Sequence, residues 1–308
     1  MRALPVLLLA GIAAHALDPE RIHARVQGLR SLHRPLPPVR PGDWLASHPE
    51  RGQTFRQYVS SQPNRPTPDR RTLYLQPIGT FSPGQQRVLK AVREGLEAAL
   101  GLTVVIRSPI PTEAIPPSAQ RPAFTPGGRQ LLTGWVLDQR LLPELPKDAA
   151  ACLGLSSMDL WPGEGWNFVF GIARLHQRVG VWSFARFGDP DASAEAYTLC
   201  HRRVYATALH EALHLFGFLH CTAHPCLMNG SNSLDESDRQ PLWLCPECLA
   251  KLAWATDQDL ETLVDRLQRH AASSDWPQEA AHQGEALRRL RGRPGHGRRP
   301  ESPMTDPR

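Results

Sequence analysis

No run of apolar residues in the 308-residue chain is long enough for a mature membrane anchor, since a spanning helix needs about 20 of them. The one candidate, Leu4 to Ala14, follows Arg2, is interrupted by Pro5 and leads into Ala14-His15-Ala16. That is the pattern of a short export signal, so residues 1–16 are read as a possible signal peptide, with cytoplasm and export both open. Basic stretches laced with aromatic residues are also missing, and no nucleic-acid partner is expected. The net positive charge comes from one place. The formal charge is +5, and Arg288, Arg289, Arg291, Arg293, Arg298 and Arg299 supply six of the positive charges, leaving −1 for the remainder. Together with its Gly and Pro, that end reads as a disordered basic tail over 272–308. Cysteine is sparse as well: there are six, and four of them fall between positions 221 and 248.

What is present is concentrated in His210-Glu211-Ala212-Leu213-His214-Leu215-Phe216-Gly217-Phe218-Leu219-His220, an H-E-x-x-H-x-x-G-x-x-H run. Two histidines four apart on a helix share a face, so both imidazoles reach one cation. Glu211 projects beside that cation, where a carboxylate can take a proton from water. Gly217 lets the chain leave the helix sharply, and His220 returns as a third ligand. Three protein ligands leave zinc an open fourth position, the mark of a catalytic rather than a structural site. H-E-x-x-H alone arises by chance in helices; the extended form fixes five positions in eleven residues.

The cysteines come as Cys221-x4-Cys226 and Cys245-x2-Cys248. Such paired spacing suits a closed tetrahedral thiolate site, most often for zinc, which adds folding energy and leaves no room for substrate. Two disulfides are the competing reading for an exported chain. Cys221 directly follows His220, so the thiolate site is expected to hold the return loop that carries the third histidine. His224, inside the first pair, reads as a bystander, and Cys152 and Cys200 as ordinary buried or free thiols.

The combined pattern, continued by Met228 in Cys226-Leu227-Met228-Asn229-Gly230, resembles the archaemetzincins, a branch of the metzincin zinc peptidases, over residues 70–270. The resemblance implies catalytic zinc on His210, His214 and His220. It implies Glu211 as general base toward a zinc-bound water, and a structural zinc on Cys221, Cys226, Cys245 and Cys248. That makes two Zn²⁺ per chain. Met228 would be the Met-turn that floors the site. Peptide or protein substrates follow, with a monomer expected. Many metzincins also carry a Tyr shortly after the Met-turn, and none follows Met228. The electrophilic partner is therefore unassigned. A zinc-containing peptide-binding protein, catalytically weak or inactive, is the alternative reading. A second alternative, in which both metals are structural, requires a fourth protein ligand at the histidines.

The implied fold is mixed α+β: a zincin domain with a small twisted mixed sheet, one antiparallel edge strand, an active-site helix and a C-terminal helix. Residues 17–70 read as an N-terminal extension or linker. Asp18-Pro19 starts a helix with Ile22, Val26, Leu29 and Leu32 on one face, and Asp43-Trp44-Leu45 and Phe55 to Val59 are apolar enough to pack on the catalytic domain at 71–271. There, Leu73 to Gln76 is a strand. Ser82-Pro83-Gly84-Gln85 opens a helix closed by Gly101, and Leu102 to Ile106 completes a βαβ unit. Leu131 to Leu142 reads as a helix. Leu153 to Leu160, Phe168 to Ala173 and Val179 to Phe184 are strand candidates, and one of the last two is expected to form the cleft edge. Residues 203–219 are the expected active-site helix, and Leu249 to Leu267 carries helical spacing with Pro246 in a first turn.

Overall fold

The computed structural model describes residues 17–123 and 128–292; residues 1–16 and the last part of the basic tail lie outside them. The strands are β1 (Thr72–Ile78), β2 (Thr103–Ile106), β3 (Gln120–Pro122), β4 (Arg129–Leu132), β5 (Ala149–Ser156), β6 (Asp159–Trp161), β7 (Gly171–Arg174) and β8 (Val179–Ser183). The main sheet has the order β2-β1-β5-β8-β7. Its first four strands are parallel, and β7 runs antiparallel to β8 at the edge. The expected mixed sheet with one antiparallel edge strand is present, and the edge is the earlier of the two candidates.

Every residue of β5 is buried, as a parallel strand covered on both faces requires. Leu73, Leu75, Leu153 and Leu155 point to a large core shared with the helices. Ile78, Cys152, Val179 and Val181 point to a smaller one under the β3-β4-β6 sheet. The helix Pro83–Leu100 has Ser82 and Gln85 in a reciprocal capping box, Pro at its first turn and Gly101 at its end, which is how the sequence reads.

Three expectations are corrected. The active-site helix is Ala194–Leu215, starting earlier than residue 203 because Ser193 caps it through Ala196 N. Leu131 and Leu132 belong to β4, and the helical turns begin at Thr133; two leucines before a helical turn satisfy either period. The boundary at 272 also moves. Pro277–Leu290 is a helix packed on Leu260–Ser273 through buried Ala286 and Leu287. Arg202 pairs with Glu279 at 2.6 Å on its first turn. Its buried face carries one leucine, Leu287, beside Ala286, Gly284, Gln283 and Glu279, too little apolar bulk to stand out in an Arg-rich stretch.

The segment ahead of residue 71 is folded onto the rest. Helix Pro19–Gln27, capped by Asp18, packs on the helix Pro246–Thr256 through Ile22 and Val26. Helix Phe55–Ser60 packs on the same helix and buries Phe55 and Tyr58. Two buried aromatic side chains contribute about 2 kcal/mol each, enough to keep this segment seated. No helix among the described residues is long and apolar enough to cross a membrane.

Candidate metal centre

The active-site helix ends in a backbone motif that aims the third histidine. Phe218 N donates to Leu213 O at 3.2 Å and Gly217 N to His214 O at 2.8 Å. This is the paired closure of a helix by a left-handed residue, and Gly217 has φ 83°. The chain turns back, and His220 meets His210 and His214. Their ring centroids lie 4.6, 5.3 and 5.0 Å apart in the three pairings.

Each ring is braced at Nδ1. His210 donates to Leu227 O at 2.9 Å and His214 to Phe218 O at 2.7 Å, and His220 meets both carboxylate oxygens of Glu50 at 3.0 Å. A carbonyl only accepts, so the proton of His210 and His214 sits on Nδ1 and the Nε2 lone pair is left for a cation. Those two Nε2 atoms face one another at 2.9 Å. One ligand atom from each of the three rings falls within 4.8 Å of the others. Among the described residues the cluster holds three donors, and no carboxylate or thiol completes it. Burial, and then the neighbouring imidazoles, depress His210 well below the ordinary histidine range and His214 to about 4. Both rings are therefore neutral near pH 7, the form that binds a metal. The donor set fits a zinc ion with an open vertex.

Glu211 is buried beside the histidines, and burial pushes its carboxyl up to about 8. A divalent cation in the cluster acts in the opposite direction, favouring the carboxylate. The edge strand approaches this group closely: a Cβ on Gly171 would lie 2.7 Å from a Glu211 oxygen. A cleft of about 840 Å³ opens in front, with Trp44, Trp166, Phe168 and Phe170 among its walls. None of the four tyrosines lines it; Tyr58 is buried and donates to Phe216 O at 2.7 Å.

Below the histidines the four cysteines converge. Cys221, Cys226, Cys245 and Cys248 are buried, with ligand atoms all within 4.8 Å of one another. They are free thiols, and the Cys221 and Cys245 sulfurs stand 3.6 Å apart, far beyond the ~2.05 Å of a disulfide. The intervening loop is cross-tied. Cys221 N donates to Met228 O at 2.7 Å. Asn229 Nδ2 donates to Cys221 O at 2.7 Å, and its Oδ1 accepts from Cys226 N at 2.8 Å. Met228 is fully buried. His224 points away, to Arg34 O, and Cys152 and Cys200 are buried outside the cluster.

Sequence reasoning missed Glu50 and Asn229. Asn229 sits in the Met228 block and only its neighbours hint at it; Glu50 stands 170 positions from His220 with no motif around it.

Three braced imidazoles, an adjacent buried carboxyl and a cleft bordered by a strand edge are the arrangement of a zinc metallopeptidase. Comparison with known sequences agrees. Peptidase family M54 matches residues 148–254. Archaemetzincin-2 of Macaca fascicularis is 34% identical, over 82% of this chain and 78% of that protein. Archaemetzincin-2 of Homo sapiens is 32% identical over the same shares. The solved archaemetzincin of Archaeoglobus fulgidus, 28% identical, aligns with 58% of this chain and 99% of its own, with a TM-score of 0.46. The chain belongs to the archaemetzincin family and is a zinc metallopeptidase.

Proposed function

We propose that the chain hydrolyses peptide bonds with His210, His214 and His220 holding the catalytic zinc and Glu211 as general base. The observation that carries this is the convergence of three rings, each braced at Nδ1, beside a buried carboxyl. Bound zinc supplies Lewis acidity toward the scissile carbonyl and lowers the pKa of a water to about 7. Glu211 takes the proton of the attacking water on a carboxylate oxygen and passes it to the leaving amine nitrogen. The open edge of β7 offers backbone N–H and C=O groups to an extended peptide, which holds the bond to be cut along the cleft. The aromatic walls shield the reacting groups from bulk water. A second, structural zinc on the four cysteines keeps the return loop in place.

Glu211→Gln tests the assignment. It is expected to keep zinc and to lose turnover by about two to four orders of magnitude; near-wild-type hydrolysis would overturn it. A second reading, a peptide-binding protein of little activity, is favoured by the lack of a tyrosine on the cleft wall. Digestion of a peptide library by the wild-type chain, with and without chelator, separates the two: chelator-sensitive cleavage supports the peptidase, and its absence supports the binder.

A further inference from the structure

We propose that Glu50 is a positioning residue of the metal centre, delivered by the N-terminal strap to hold the third imidazole, His220, with Nε2 toward the cation. The inference rests on zinc binding at the three histidines. His210 and His214 grow from one helix, which orients them before any partner is added. His220 lies in the loop beyond it, after an exposed Leu219, and no regular element fixes its ring. Glu50 supplies what the backbone does not, with both oxygens 3.0 Å from His220 Nδ1. A carboxylate there fixes the tautomer and makes the opposite nitrogen a stronger donor to a metal.

Glu50 is itself held. Trp44 Nε1 donates to Glu50 Oε1 at 3.0 Å, and its indole meets His220 edge-on at 5.3 Å and stacks on His48 at 3.9 Å. Trp44 N in turn donates to the Glu236 carboxylate at 2.9 Å. A few residues on, Gln53 donates to Gly217 O at 3.4 Å and accepts from Leu219 N at 3.3 Å. Lys251, fully buried, secures Gln53 O at 2.5 Å. Tyr58 and Asn64 then donate to Phe216 O and Leu215 O, at 2.7 and 3.0 Å. The strap thus satisfies the backbone groups left free at the end of the active-site helix, and that register sets Glu50 against His220. Glu50 lies outside residues 148–254, the block that matches the peptidase family.

The test uses the full chain as wild type, Glu50→Ala and Glu50→Gln. Zinc affinity at the histidine site is measured by competition with a chromophoric chelator, and the visible spectrum of the Co²⁺-loaded site reports its geometry. Glu50→Ala is expected to bind zinc there about 10–100-fold more weakly, with an altered Co²⁺ spectrum, while zinc at the four cysteines is retained. Glu50→Gln is expected between the two, because an amide oxygen accepts the same hydrogen bond without the charge. Retained cysteine-bound zinc shows that the fold persists; should Glu50→Ala lose it, the Gln variant decides. Variants that match wild type in both affinity and spectrum overturn the role of Glu50. A wild-type chain that takes up no metal at the histidines overturns the zinc reading on which the proposal stands.

Discussion

Gly171 shows how a single position shapes the surroundings of Glu211. Its lack of a side chain lets the edge strand run against Glu211, where a methyl group would lie 2.7 Å from Oε1 and 2.9 Å from the carboxyl carbon. Both atoms end a flexible side chain, so the fold can accept Gly171→Ala by turning Glu211 aside. The expected outcome is a stability loss of about 1 kcal/mol, the low end of what overpacking costs. Turnover drops by about 100-fold, as misplacement by an ångström does, and zinc content is unchanged. Steady-state kinetics with metal analysis checks this, and an unaltered kcat contradicts it. At this scale the convergence of His210, His214 and His220 was legible in the sequence, because helical period and a sharp glycine turn dictate where the three rings go. Gly171 was legible only as part of the edge-strand candidate Phe168 to Ala173, not as a neighbour of Glu211, and Glu50 was not legible at all, because their partners are distant in the chain.

At the scale of elements, the loop from Cys221 to Asn229 links the two clusters. Leu227 O braces His210, Met228 O accepts from Cys221 N, and Cys226 Sγ accepts from Cys245 N at 3.3 Å. Loss of one thiolate therefore loosens a segment that supports the histidines directly. Cys245→Ser is expected to weaken zinc at the histidine site by about tenfold or more and to lower the thermal midpoint. Chelator competition on the variant reads the first effect, and unchanged affinity there contradicts the linkage. Some elements whose ends carry local chemistry were read to within a residue, as with Ser82 and Gly101 around the helix Pro83–Leu100, although the Ser193 cap of Ala194–Leu215 was not recognised. Elements that owe their existence to tertiary burial were not. Pro277–Leu290 buries one leucine, Leu287, beside Ala286, Gly284, Gln283 and Glu279, and so mixed a face gives no clear hydrophobic period to detect.

Across the whole molecule, the candidate metal centre is assembled from segments far apart in sequence. The edge strand and active-site helix bring Gly171, Glu211, His210 and His214; the return loop brings His220; the N-terminal strap brings Glu50; and the helix Pro246–Thr256 supplies Cys248 and, through Lys251, the seat for the strap. The block that carries the family motif is thus framed by an N-terminal segment that the sequence marks with a helix and a few apolar stretches, and by a C-terminal one that it marks only as basic. The central claim is that two separate clusters each take a zinc ion, one of them open to solvent and substrate. Metal content of the purified wild-type chain and of His214→Ala, measured by mass spectrometry of the elements, tests it most directly. The account predicts about two zinc ions per wild-type chain and about one in the variant. One zinc in the wild type, or two retained after loss of His214, would contradict it.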